Sequence, residues 1–118
     1  MAYVDGFVLP MPKKSVAAYK RIARAAAKVW RDHGALEYRE WLGDDLDVKW
    51  GPGFPKGIKT KRGETVIFAW IVYKSKAHRD RVNAKVMKDP RISKMGPEDM
   101  PGDIKRMLYG GFKALVQA

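Results

Sequence analysis

The stretch TVIFAWIVY, residues 65–73, decides the fold because it reads as a strand with two apolar faces. Successive side chains of a strand point to opposite sides of the sheet. The odd-numbered face comprises Thr65, Ile67, Ala69, Ile71 and Tyr73, and the even-numbered face comprises Val66, Phe68, Trp70 and Val72. A small domain covers one such face with its own helices. The other face needs a second cover.

The composition indicates one folded domain spanning residues 1–118. The hydrophobic fraction of 46% is ordinary for a globular protein, and the length leaves no room for a second domain. The chain has no cysteine, which excludes disulfides, thiolate metal sites and cysteine nucleophiles. The opening MAYVDGFVLP lacks the pattern of a signal peptide, and no apolar run reaches the roughly 20 residues of a membrane helix. We therefore expect a cytoplasmic protein with no membrane partner.

Six segments with strand or helix patterns follow one another along the chain. They are strand 3–9, helix 13–34, strand 35–42, strand 65–73, helix 75–89 and strand 106–116. Pro10 and Pro12 are expected to end the first strand, and Gly110–Gly111 to weaken or bulge the last one. The connections 43–63 and 89–105 are irregular and rich in glycine or proline.

The first helix has a strong amphipathic pattern. Its apolar residues recur at steps of three and four: Val16, Tyr19, Ala23, Ala26 and Trp30. Gly34 is placed to end this helix in a left-handed turn, and Ser75 is placed to cap the second helix.

The order strand, helix, strand, strand, helix, strand predicts an α+β, ferredoxin-like βαββαβ fold. Right-handed crossovers place both helices on one face of a four-stranded antiparallel sheet, with the strand order 4-1-3-2. The strand 65–73 is then central, and its second face is left open. An apolar patch of this size is unusual on a monomer. We expect a homodimer in which two sheets pack face to face, with segment 89–105 covering at most part of that face.

Several motifs, taken together, resemble one bacterial family. These are YVDGF, HGALEY, ETVIFAWIVY followed by HRDRVNAKVM, DPR, DMP and the terminal YGGF. The chain resembles the YbaA-like proteins of unknown function, which belong to the dimeric α/β-barrel superfamily. The resemblance spans nearly the whole chain and is weakest over 43–63. It implies a ferredoxin-like protomer and a dimeric barrel, but it supplies no reaction and no catalytic residues.

Three residues are candidates for acid–base chemistry. Asp5 and Glu37 share strand faces with apolar residues, and a carboxylate in such surroundings can act as a base. His33 is the better placed of two histidines for proton transfer. The alternatives are structural: Asp5 pairs with Arg39 or another cation, and His33 caps the first helix. With two isolated histidines and no cysteine, we expect no metal site, and no motif calls for a cofactor.

Aromatic residues are candidates for lining a ligand pocket, although core packing is an equally good interpretation. They are Trp41, Tyr73 and Tyr109. Together with Asp5, His33 and Glu37 they suggest a cleft between the sheet and its loops that binds or transforms a small, partly apolar molecule.

The net charge of +11 supports a different interpretation. Basic residues on the first helix and in the loop before residue 65 are candidates for contacting phosphates: Lys20, Arg24, Lys28, Arg31, Lys59, Lys61 and Arg62. ETVIFAWIV lacks the pattern with which RNA-recognition domains stack bases. The alternatives to a small-molecule protein are therefore a basic dimer that binds RNA or another polyanion without sequence preference, or a structural or regulatory dimer without catalysis.

Overall fold

The computed structural model describes residues 2–118, which form a four-stranded antiparallel sheet with two long helices on one face. The elements are β1 (Tyr3–Pro12), α1 (Val16–Asp32), β2 (Glu37–Leu42), α2 (Gly53–Gly57), β3 (Glu64–Tyr73), α3 (Lys76–Lys88), α4 (Pro90–Ser93) and β4 (Leu108–Lys113). The strand order is β2-β3-β1-β4. This is the predicted order 4-1-3-2, so the ferredoxin-like α+β fold is confirmed.

The two faces of β3 have different surroundings, as its sequence predicts. Ile71 and Tyr73 are buried with Val82 and Val86 of α3, and Ile67 is buried with Tyr19 of α1. We call this side of the sheet the helix face. The other side, the open face, carries Phe68, which remains 40% exposed.

One corner of the open face is covered by the connection between β2 and β3. The ring of Phe54 in α2 lies 6.0 Å from the ring of Phe68. The rest of this face remains uncovered in the single chain, and Leu108 and Phe112 of β4 add to its exposed apolar area.

The first strand continues through both prolines, so the prediction that Pro10 and Pro12 end it was wrong. Pro10 pairs with Val66 and Pro12 with Glu64 of β3, whereas the pairing with β4 stops at Val8. Beyond Val8 the strand has a neighbour on one side only. An edge of this kind accommodates a residue that cannot donate a backbone hydrogen bond.

The last strand is shorter than predicted and has no bulge. Gly110 and Gly111 pair one to one with Gly6 and Asp5 of β1. A side chain at position 111 would collide with the ring of Tyr3, so glycine at this position provides space for that ring.

The segment after α3 crosses the helix face, so residues 89–105 do not supply the partial cover of the open face that the sequence left possible. Met100 and Met107 pack against the buried cluster that contains Leu9 and Tyr19. Arg106 ties the segment to the start of β3 through two hydrogen bonds to Glu64, 2.7 and 2.8 Å long. Its apolar side chains are therefore held over the sheet.

None of the helices within residues 2–118 combines the length and the apolar character needed to cross a bilayer.

Candidate functional site

A cavity of about 400 Å³ lies between α1, the helix face of the sheet and the segment 87–107. We call it the inner cavity. It borders both buried clusters of the core: Phe7, Trp30 and Tyr38 on its wall pack against one, and Leu9 and Tyr19 belong to the other. Protein interiors are close-packed, so a space of this size between elements is a candidate binding site.

Small side chains create this space. Ala23 and Ala26 are part of the apolar stripe of α1, and Ala69 lies in the middle of β3 among larger residues; all three line the cavity. Four methionines form much of the opposite wall: Met87, Met95, Met100 and Met107. Methionine is unbranched and adapts to different shapes, which suits a wall that contacts a ligand.

The polar end of the inner cavity is Glu40 of β2. Tyr19 donates a hydrogen bond to its Oε1, and Tyr38 donates one of 2.7 Å to its Oε2. Tyr38 and Glu40 lie two residues apart on one face of β2, opposite Ile71 and Ala69 of β3. The strand pairing therefore brings the carboxylate over the helix face, where α1 adds Tyr19.

Both hydroxyls stay protonated at neutral pH. Burial, and then the charge of Glu40, raise the pKa of Tyr19 well above its usual range. The pKa of Tyr38 is raised for the same two reasons in the same order. These tyrosines therefore act as hydrogen-bond donors that hold the carboxylate in place, and not as phenolate bases.

A second cavity of about 460 Å³, the outer cavity, lies between α1 and β2. It shares Tyr19, Ala23, Tyr38 and Glu40 with the inner cavity, so these residues lie between the two. Lys20 and Arg24 line the outer cavity but not the inner one.

Asp5 lies away from the inner cavity, in a network between β1 and α3. Its Oδ1 is 3.3 Å from Nη1 of Arg79, whose guanidinium also stacks over Tyr3 and donates to its hydroxyl. Burial raises the pKa of Asp5, and the charge of Arg79 partly offsets the rise. The structural interpretation, in which Asp5 pairs with Arg39 or another cation, holds with Arg79 as the cation. Arg39 itself lies on the open face.

His33 joins the end of α1 to the start of α4. Its Nε2 lies 2.8 Å from Oδ2 of Asp89, which also accepts hydrogen bonds from Arg91. The hydrogen bonds from Arg91, followed by the one from His33, hold the pKa of Asp89 well below its usual range. His33 is thus the residue that ends α1, and it lies outside both cavities.

Glu37 belongs to the open face. It accepts a hydrogen bond of 2.8 Å from the indole of Trp70 and pairs with Arg39 at 2.9 Å. Trp41 packs on Trp70 with ring centroids 5.3 Å apart and also reaches the rim of the outer cavity. The predicted cleft containing Asp5, Glu37 and Trp41 together was therefore wrong, because β1 and β2 place these residues on opposite faces of the sheet.

The other two aromatic candidates contribute little to a pocket wall. Tyr73 is completely buried and donates a hydrogen bond to Asn83, so it belongs to the core. Tyr109 is 72% exposed on the helix face of β4, where its ring stacks 6.0 Å from Phe7. Phe7 itself lines the inner cavity, so Tyr109 lies behind that wall.

The basic candidates do not form one uniform group. Arg31 donates to the backbone carbonyls of Ala35 and Leu36, and Lys28 lies 3.7 Å from Asp32. The loop residues Lys59, Lys61 and Arg62 are exposed. Polyanion binding stays a prediction.

Within residues 2–118, no three side chains of histidine, aspartate and glutamate are grouped so that they would hold a metal ion.

Sequence reasoning missed Glu40, Tyr19 and Tyr38 as a site. The signal was present in EYREWL, residues 37–42, where a carboxylate lies between a tyrosine and a leucine on alternating positions. The hypothesis drawn from the sequence took the odd-numbered face of this strand and therefore named Glu37 as the candidate carboxylate. Either face of a short strand can be the buried one, and the pairing with β3 decides between them.

Comparisons with known proteins identify the family but no activity. A model described as "Protein of unknown function (DUF1428)" matches residues 2–104. The chain is 44% identical over 117 residues to the uncharacterized protein YbaA of Escherichia coli K12, covering 98% of each chain.

Solved structures with low sequence identity share the fold. A NIPSNAP domain protein from Burkholderia xenovorans has a TM-score of 0.58 at 11% identity, with 98% of this chain and 97% of that chain covered. A dimeric ferredoxin-like protein from an uncultured marine organism has a TM-score of 0.57 at 10% identity, with full coverage of both chains. The chain described here therefore belongs to the DUF1428 family of proteins of unknown function.

Proposed function

We propose that this protein binds a small, partly apolar molecule in the inner cavity, with Glu40 and its two tyrosines contacting the polar end of the ligand. The observation that carries the proposal is a cavity of about 400 Å³ whose apolar wall is interrupted by one fixed carboxylate. Ligand sites typically enclose roughly 300–1,000 Å³, with a few placed polar groups on an apolar lining.

The way in which the cavity is built supports the proposal. If it were a packing defect, the residues around it would have no reason to converge on a polar group. Instead, α1 supplies Tyr19 and β2 supplies Tyr38, and both donate to the same carboxylate. Fixing a charged group in this way preorganises it for contact with a ligand.

We further propose that residues 1–118 form a single domain that assembles as a homodimer through the open face. Phe68, Leu108 and Phe112 leave an exposed apolar surface on this side, which a second copy would bury. A protein of the same fold from a marine organism is described as dimeric, which supports the proposal of a dimer. A cytoplasmic location is part of the same proposal, and cell fractionation tests it.

The test of ligand binding fills the inner cavity. Ala26 lines it, whereas Ala25, the preceding residue of α1, is exposed. The probe is 4-phenylbutan-1-ol, whose binding is measured by ligand-observed NMR and by shifts of the backbone amides around the cavity. We expect binding to the natural protein and to Ala25→Phe, and none to Ala26→Phe.

Thermal melting of both variants shows that the filled protein is folded. A probe that binds Ala26→Phe as well as it binds the natural protein would refute the proposal, because binding would then occur elsewhere. The proposal would also be refuted if the natural protein bound neither this alcohol nor its charged analogues, 4-phenylbutylamine and 4-phenylbutyrate.

A further inference from the structure

The charge of the inner cavity is unbalanced within the protein. Glu40 is the only charged residue that lines it among residues 2–118, and no lysine, arginine or histidine of those residues lies within salt-bridge distance of its carboxylate. By contrast, two other carboxylates whose side chains are largely buried form salt bridges: Asp5 with Arg79, and Glu64 with Arg106. A carboxylate that is partly removed from water gains from a counter-ion.

The hydrogen bonds around Glu40 leave acceptors and no donors. A tyrosine hydroxyl has one proton, and both Tyr19 and Tyr38 give theirs to Glu40. The remaining lone pairs belong to the carboxylate and to the two phenol oxygens. Among the described residues that line the cavity, the one further side-chain donor is the indole of Trp30, which donates to Asn83. A ligand must therefore bring the donor.

The apolar part of the wall also favours a positive charge. The rings of Phe7, Tyr19, Trp30 and Tyr38 line the same cavity. Aromatic rings attract cations through their negative faces, and the attraction is strongest where water is excluded.

We propose that the ligand is an apolar organic amine, whose ammonium group donates to Glu40 and whose hydrocarbon part fills the inner cavity. This inference rests on the proposed function and names the chemical class of its ligand. Primary and secondary amines fit the acceptor-only site, since each retains at least two N–H donors when protonated. Lys20 and Arg24 line the outer cavity, which Glu40 also borders, but neither of them forms a salt bridge with its carboxylate.

The experiment compares three probes of nearly equal shape: 4-phenylbutylamine, 4-phenylbutan-1-ol and 4-phenylbutyrate. Isothermal titration calorimetry or ligand-observed NMR gives their affinities. The alcohol can donate one hydrogen bond to the carboxylate, whereas the ammonium group donates two or more and also balances its charge, so we expect the amine to bind roughly ten- to a hundred-fold more tightly than the alcohol. The net charge of +11 makes the test strict, because unspecific attraction would favour the butyrate.

Two variants locate the preference. Glu40→Gln keeps the shape and removes the charge, so it should lose the preference for the amine while the alcohol still binds. Glu37→Gln is the matched control on the same strand, because Glu37 lies on the open face; it should keep the preference. If Glu40→Gln does not fold, the N,N-dimethyl and N,N,N-trimethyl derivatives of 4-phenylbutylamine test the same contact in the natural protein. Their affinity should fall as N–H donors are lost, and equal affinity of all three would overturn the inference.

The outcomes separate this inference from the proposed function. Equal binding of amine and alcohol, both lost in Ala26→Phe, would overturn the assignment of an amine and leave the cavity as a binding site. Tighter binding of the butyrate would also overturn it and would point to an anionic ligand. A preference for the amine that survives in Glu40→Gln would show that Glu40 does not cause it, and would overturn the inference.

Discussion

Replacing Phe112 by serine should weaken the proposed dimer strongly. Phe112 belongs to β4, and its ring lies over Gly6 on the open face, where it remains 64% exposed in the single chain. An aromatic side chain has roughly 200 Å² to bury, so the partner would remove up to about 130 Å² per copy from water. At about 25 cal/mol per Å² this is about 3 kcal/mol per protomer and about 6 kcal/mol per dimer.

The expected change in the dimer dissociation constant is therefore up to about 10⁴-fold. Sedimentation equilibrium over a wide range of protein concentration measures it. Tyr109→Ser is the matched control, because Tyr109 lies three residues away on the same strand and is as exposed, but it belongs to the helix face. This variant should leave the dissociation constant unchanged.

Two results would refute the reasoning about the open face. One is a natural protein that stays monomeric at every concentration. The other is a dimer whose dissociation constant responds more to Tyr109→Ser than to Phe112→Ser, which would place the interface on the helix side of the sheet.

Three further predictions concern the stability of the fold. Val86→Ala empties a completely buried position under the sheet and should lower the free energy of unfolding by about 2 kcal/mol, measured by urea denaturation. Arg79→Met leaves Asp5 buried without its cation and should lower the free energy of unfolding by about 3 kcal/mol at pH 7. The change should also raise the pKa of Asp5 further. The difference in stability between the variant and the natural protein should therefore shrink as the pH falls and this carboxyl is protonated. The hydrogen bonds from Arg106 lower the pKa of Glu64 from 4.5 to about 2. This pair therefore stabilises the fold fully above about pH 4.5, and its contribution is lost as the pH falls through about 2. In Glu64→Gln the free energy of unfolding should depend less on pH in this acid range, and an unchanged dependence would contradict the assignment.

The architecture could be predicted because one strand constrains it. The nine residues of TVIFAWIVY are too apolar for an edge strand with a solvent-exposed face, so β3 had to be central, with one face against the helices. The apolar stripe that includes Ala23 and Ala26 predicts the helix α1. Gly34 has the left-handed backbone expected of it, with φ of 111°, and Ser75 accepts the capping hydrogen bond from the backbone of His78.

The candidate site could not be predicted with the same success, because it depends on long-range placement. Glu37 and Glu40 are carboxylates three residues apart on one short strand, and only the register with β3 shows which one faces the helices. The sequence of residues 89–107 has no periodic apolar pattern, so their path over the helix face could not be predicted. The methionines of that segment therefore gave no sign in the sequence that they line a cavity with alanines of α1.

Native mass spectrometry of the protein purified gently from cells, at low salt and without nuclease, tests the central claim most directly. We expect a dimer in which each copy carries one discrete small mass, and the loss of that mass in Ala26→Phe but not in Ala25→Phe. A protein that carries only heterogeneous nucleic acid, shed on raising the salt concentration, would contradict it and would favour polyanion binding. So would a small mass that is retained when the inner cavity is filled.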